Sequence, residues 1–147
     1  PITAFAQAYV QTWDLVDSGK HLDYDGNSTY MSYINTGAAT WNAYKSGVIR
    51  KDSAFVVEDV YVSDVNASNG WAGMTYSSGK IELNTYYMSG YSNSKKQNVA
   101  THELGHALGL DHSTSTDVMD AAITGHTSTQ ALSQNDKDSY DAAYNNY

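Results

Sequence analysis

Cysteine is absent from the 147 residues of the chain, which excludes a disulfide framework, a Cys-ligated zinc and a thiol nucleophile. Proline occurs once, and hydrophobic residues make up 41% against 16% charged. Disorder needs the opposite balance, so a packed globular domain is expected. No run approaches the length of apolar sequence that spans a bilayer. Basic residues are scarce as well. Eight Lys+Arg face 16 Asp+Glu, for a net charge of −8, and that field repels nucleic acid and anionic lipid. A chain that opens at Pro1 rather than Met reads as a processed segment with any targeting peptide removed. Its abundance of Tyr, Ser, Asn and Gly suits an exported protein, so secretion is the expectation, as a monomer.

What is present reads as one domain, 1–147, without internal repeats. Ile2, Phe5, Tyr9, Trp13 and Val16 follow a three-to-four spacing that predicts an opening helix over 2–17. Asp25-Gly26-Asn27 predicts a turn. A second helix is expected through Tyr30, Tyr33, Ile34, Ala38 and Trp41, with Ser28 as N-cap and Gly47 beyond its end. β-Branched and aromatic alternation predicts a strand over 54–62, then a polar loop over 63–70. Two short strands, 71–76 and 80–84, flank Ser77-Ser78-Gly79 as a hairpin. Ser94 and Gln97 have capping-box spacing for a long helix that carries Ala100, Leu104, Ala107 and Leu108 and stops at Gly109. A last helix starts at Ser133, with Asp136 three residues on, and buries Tyr140, Ala143, Tyr144 and Tyr147 on one face. Strands followed by one long helix and a terminal helix give an α+β order.

The long helix carries His102-Glu103-Leu104-Gly105-His106, continued by Ala107-Leu108-Gly109-Leu110-Asp111-His112. His102 and His106 leave one helical face a turn apart and can share a cation. Gly109 can adopt positive φ, reverse the chain and deliver His112 to the same ion. Asp111, Asp117, Asp120 and His126 are alternative third ligands, which lack so well placed a turn. Glu103 is displaced by ~100° from His102 around the helix, so it reaches a metal-bound water better than the metal. Three neutral imidazoles and one open position form the ligand set of a catalytic zinc. Such an ion acidifies its water toward a pKa of ~7, with Glu103 as general base in amide hydrolysis. In a chain of this composition HExxH arises by chance with a likelihood of about 0.3%, and HExxHxxGxxH about once in a hundred thousand. A scheme with a later Glu as third ligand is closed, because Glu58, Glu82 and Glu103 are the only glutamates.

Residues 97–120 resemble a metzincin metalloprotease, and Ser113 after His112 is similar to the matrixin branch. Met119, in Thr116-Asp117-Val118-Met119-Asp120, matches the family's methionine turn beneath the metal. The segment 132–138 resembles the start of the matrixin C-terminal helix. The resemblance implies a twisted, mostly parallel sheet backed by helices over a smaller lower part, with the cleft between. It implies that an extended peptide pairs with an edge strand at Gly73–Tyr76 and that 121–130 wall the pocket for the residue after the cut. Three features depart from the family. The loop 63–70 has no His, so no second zinc is expected. Asp64, Asn66 and Asn69 offer oxygens to calcium but read as a solvated loop, and no calcium is expected. The segment 2–17 matches no family element and reads as an extension or a propeptide remnant. His21 reads as a surface residue, while His126 falls in the expected pocket wall. The function implied is a zinc endopeptidase acting on extended peptide or protein. The alternatives are a zinc-loaded peptide-binding domain without turnover and a zinc amidase on a non-peptide substrate.

Overall fold

The structure is a computed structural model that describes residues 8–53 and 57–147. Its frame is a five-stranded sheet in the order β2-β1-β3-β5-β4. Strands β1 (Leu22–Gly26), β2 (Ile49–Lys51), β3 (Val60–Val65) and β5 (Lys80–Asn84) run parallel, and β4 (Gly73–Tyr76) is antiparallel at the edge beside β5. The helices are α1 (Met31–Tyr44), a single turn α2 (Thr85–Met88), α3 (Asn93–Ala107) and α4 (Gln134–Tyr144), with one 3-10 turn at Ile123–Gly125. The α+β architecture and mostly parallel sheet match expectation.

Four parallel strands need their covered face apolar. Leu22, Val60, Val62, Ile81 and Leu83 provide it and are buried completely. Helices α1 and α3 pack on each other at Gly37, where a Cβ would lie 3.1 Å from Thr101 Oγ1 and 3.2 Å from Leu104 Cδ1. The Trp41 indole N–H donates to Thr101 O at 2.9 Å, and Tyr140 of α4 meets the Trp41 ring edge-to-face at 5.5 Å. One apolar core therefore joins the sheet, α3 and α4.

Several expectations need correction. The opening helix does not form over 8–17, and its first part lies outside the described residues. Instead 9–15 run antiparallel beside 107–111 with a bend at Thr12, through Leu15 N–H to Ala107 O, Gln11 N–H to Gly109 O and Asp111 N–H to Tyr9 O, each at 2.9 Å. The segment expected to turn at Asp25-Gly26 is the end of β1, and the turn follows it. The strand expected at 54–62 begins only at Val60 and continues to Val65, into the supposed polar loop. Residues 57–59 are not strand, and 54–56 lie outside the described residues. Within that loop Asp64 is committed to Ser28 Oγ, Thr29 N–H and Thr29 Oγ1. Ser28 does not cap α1, whose N-cap is Tyr30. Helix α3 is capped by Ser92, whose side chain accepts from Lys95 N, rather than by Ser94. Gln97 makes no capping box, because its amide donates to Tyr33 O at 2.9 Å and to Thr101 Oγ1 at 3.0 Å. The expected hairpin and the Ser133–Asp136 capping box of α4 are both present.

Candidate metal centre

Helix α3 carries His102 and His106 on one face, and at Gly109 the chain turns with φ of 100°. A side chain there would be strained, and its Cβ would sit 3.1 Å from Asp14 Cβ. The turn brings His112 back. His106 Nε2 lies 3.1 Å from His102 Nε2 and 3.2 Å from His112 Nε2. All three histidines present a ring nitrogen within 4.8 Å of the others. The alternative third ligands are turned elsewhere. Asp111 Oδ1 accepts from His112 N at 2.7 Å, Asp117 accepts from Thr114, and Asp120 pairs with His126 Nε2 at 2.7 Å.

The tautomers test whether a cation fits. His102 Nδ1 donates to Val118 O at 2.7 Å and His106 Nδ1 to Leu110 O at 2.9 Å. A carbonyl can only accept, so each Nδ1 holds the proton of a neutral ring and each Nε2 holds a lone pair. Burial, followed by the neighbouring histidines, pushes His102 down to about 3, and burial lowers His106 as well. Lone pairs aimed at one another need a Lewis acid between them. Nitrogens just over 3 Å apart suit a tetrahedral ion with bonds of ~2.0–2.1 Å, the geometry of zinc. The donor set therefore fits zinc, with the backbone carbonyls fixing each ring.

Glu103 follows His102 on α3 and is buried at 5% exposure. Thr75 Oγ1 of β4 lies 2.8 Å from Glu103 Oε1. Burial raises the carboxyl to about 7, against the lowering effect of Thr75. Gly73 makes room for this side chain, because a Cβ there would lie 2.9 Å from Glu103 Cγ. Beneath the histidines, Met119 is buried and its Sδ packs against Gly105.

Two contributors escape the motif. Asp136, buried at the start of α4, accepts Val118 N–H at 2.8 Å and Met119 N–H at 3.3 Å. It thereby fixes the carbonyl that orients His102. The only sequence signal was its place in a capping box. The second contributor is the segment 9–15, whose Gln11 side chain donates to His106 O at 2.7 Å. The centre opens into a cleft of about 430 Å³ lined along one side by Gly73, Met74 and Thr75 and closed by Ala121, Ile123 and Thr124. His126 stays outside this lining, held by Asp120, and His21 is half-buried beside Asp17.

A mostly parallel sheet with an antiparallel edge, a His-bearing helix broken by glycine and a buried methionine packed against Gly105 between the helix histidines define the fold and metal site of the metzincin class. The Matrixin (peptidase M10) family model matches residues 4–145, and the chain belongs to that family. No curated protein matches the chain. Among solved structures it is similar to high choriolytic enzyme 1, a hatching enzyme zinc-protease from Oryzias latipes (medaka fish), at 20% identity and a TM-score of 0.40. That match covers 71% of this chain and 54% of the other, so the chain spans about half the length of this relative.

Proposed function

We propose that residues 1–147 form one catalytic domain that hydrolyses peptide bonds in extended protein substrates, with His102, His106 and His112 as zinc ligands and Glu103 as general base. The observation that carries the reading is the convergence of three imidazole nitrogens beside a buried carboxyl at the foot of β4, an edge strand among the described residues. Zinc bound there supplies Lewis acidity toward water and the scissile carbonyl. Glu103 takes a proton from the attacking water as its oxygen bonds to the carbonyl carbon. It then returns that proton to the amine nitrogen as the C–N bond breaks. Thr75 holds the carboxyl in place for both transfers.

The edge supports a peptide rather than a compact amide. Asn84 N–H donates to Ala72 O at 2.8 Å, so in antiparallel alternation Ala72 and Met74 face β5. The peptide groups of Gly73 and Thr75 then face outward, free to pair with an added strand. Export and action as a monomer complete the proposal, on the strength of the composition. Among the described residues no helix is long and apolar enough to cross a membrane.

The decisive experiment compares wild type with Glu103→Ala on a denatured protein substrate. Zinc should stay near one per chain, while kcat/KM falls by about 10²–10⁴. Turnover that survives the substitution removes Glu103 from the mechanism. A zinc-loaded wild type that captures library peptides and cleaves none favours a binding module instead.

A further inference from the structure

The extended segment 9–15 contributes more to the cleft than a lining. It runs antiparallel to 107–111, with Val10 opposite Leu110. At that bridge, alternation sends the flanking Gln11 and Asp111 to the face opposite Val10 and Leu110, and the chain bends at Thr12 before Trp13. Leu110 is fully buried and Val10 packs against the core, whereas Gln11, Trp13 and Asp111 line the cleft. The Gln11 amide is occupied with His106 O. Trp13 remains half-buried, and among the described residues its indole N–H has no hydrogen-bond partner. Of the other two tryptophans, Trp41 is fully buried and its indole bonded, while Trp71 lines the same cleft beside Ala72 and Gly73.

Trp13 also sits at the far end of the cleft from the other wall. The wall 121–130 is tied to the first half of α3, through Asn98 Nδ2 to Ser128 O and Gln130 N–H to Asn98 Oδ1, both at 2.8 Å. The segment 9–15 is tied to Ala107 and Gly109, at the other end of the helix. Nine residues of helix separate those anchors by ~13 Å, the span of about four residues of extended peptide.

We propose that Trp13 is a specificity-determining residue, the wall of a subsite that accepts a large apolar side chain roughly two to four positions before the cut bond. The proposal rests on the endopeptidase reading above and on 121–130 receiving the residue after the cut. An indole face offers a wide apolar surface at low entropic cost, and its N–H, unpartnered among the described residues, can donate to the substrate backbone.

The test is kcat/KM over a peptide library varied at the four positions before the cut, for wild type, Trp13→Ala, Trp13→Phe and Trp13→Arg. Wild type should prefer Phe or Leu over Asp at one of these positions. Trp13→Ala should shrink that preference by about tenfold, and Trp13→Phe should restore most of it. Trp13→Arg keeps a long side chain on the segment and should move the preference toward Asp. Bound zinc near one per chain shows that each variant is folded. Identical profiles in wild type and whichever of the Ala and Arg variants retains zinc overturn the proposal. If wild type cleaves no peptide, the endopeptidase reading fails separately. The subsite is then read from the affinity of zinc-loaded Glu103→Ala protein for Phe- and Asp-containing library peptides. Substitution of Trp13 on that background should weaken the Phe peptide about tenfold, and unchanged affinity sinks the subsite.

Discussion

Glu103 shows what a buried carboxyl costs its own fold. Its raised pKa of about 7 comes from burial, with Thr75 pulling the other way. In the unfolded chain the group ionises near its ordinary value. Below that value both states are protonated and no penalty arises. Between the two values the unfolded state loses its proton first, so stability falls as pH rises, and the penalty is complete above the folded pKa. Glu103→Gln in the metal-free protein should therefore gain little at pH 5 and about 3 kcal/mol at pH 8, while losing hydrolysis. Denaturant unfolding at both pH values measures this. An equal gain at both would show that ionisation is not what the carboxyl costs. The residue itself was legible because HExxH fixes its neighbour and its angle on the helix. Its burial was not, since Gly73 and Thr75 come from a strand some thirty residues earlier.

At the scale of elements, local signals carried as far as local structure did. Helix α3, the β4–β5 hairpin and α4 announce themselves through periodicity, a glycine turn and a capping box, all of which act within a few residues. Strands β1 and β2 gave no such signal, because they are short and carry Asp23 and Arg50, which pair side by side at 2.8 Å. The segment 9–15 reads as helical by spacing, yet partners about a hundred residues away hold it out of a helix. Asp136 illustrates the same limit, since the cap is local and the grip on the methionine turn is not. Asp136→Ala strands the N–H groups of Val118 and Met119 and should cost about 3 kcal/mol. It should also weaken zinc about 10–100-fold by loosening the carbonyl behind His102. Ser133→Ala removes the cap alone, costing about 1 kcal/mol with zinc affinity intact. Competition against a chelating dye separates the two. Equal zinc affinity in both variants would dismiss the link from α4 to His102.

For the molecule as a whole, the question is whether zinc makes the fold or is received by it. Small metal domains unfold without their ion because they have little else to bury. Here the sheet, α1, α3 and α4 share a core that includes Trp41, Tyr140, Leu22, Ile34 and Leu83, all fully buried and none dependent on a ligand. The His102 and His106 rings are each held by a backbone carbonyl, of Val118 and Leu110 respectively. Zinc should thus add its binding energy to a fold that already stands. At a free concentration of about 1,000 times Kd that is ~4 kcal/mol, and each kcal/mol moves Tm by roughly 2–4 °C at this size. Chelation should lower Tm by roughly 8–16 °C, leave the far-ultraviolet circular dichroism unchanged at 25 °C and stop hydrolysis until zinc is restored. A chain that unfolds on chelation at 25 °C would make the metal part of the core, and the separation between scaffold and site would no longer hold.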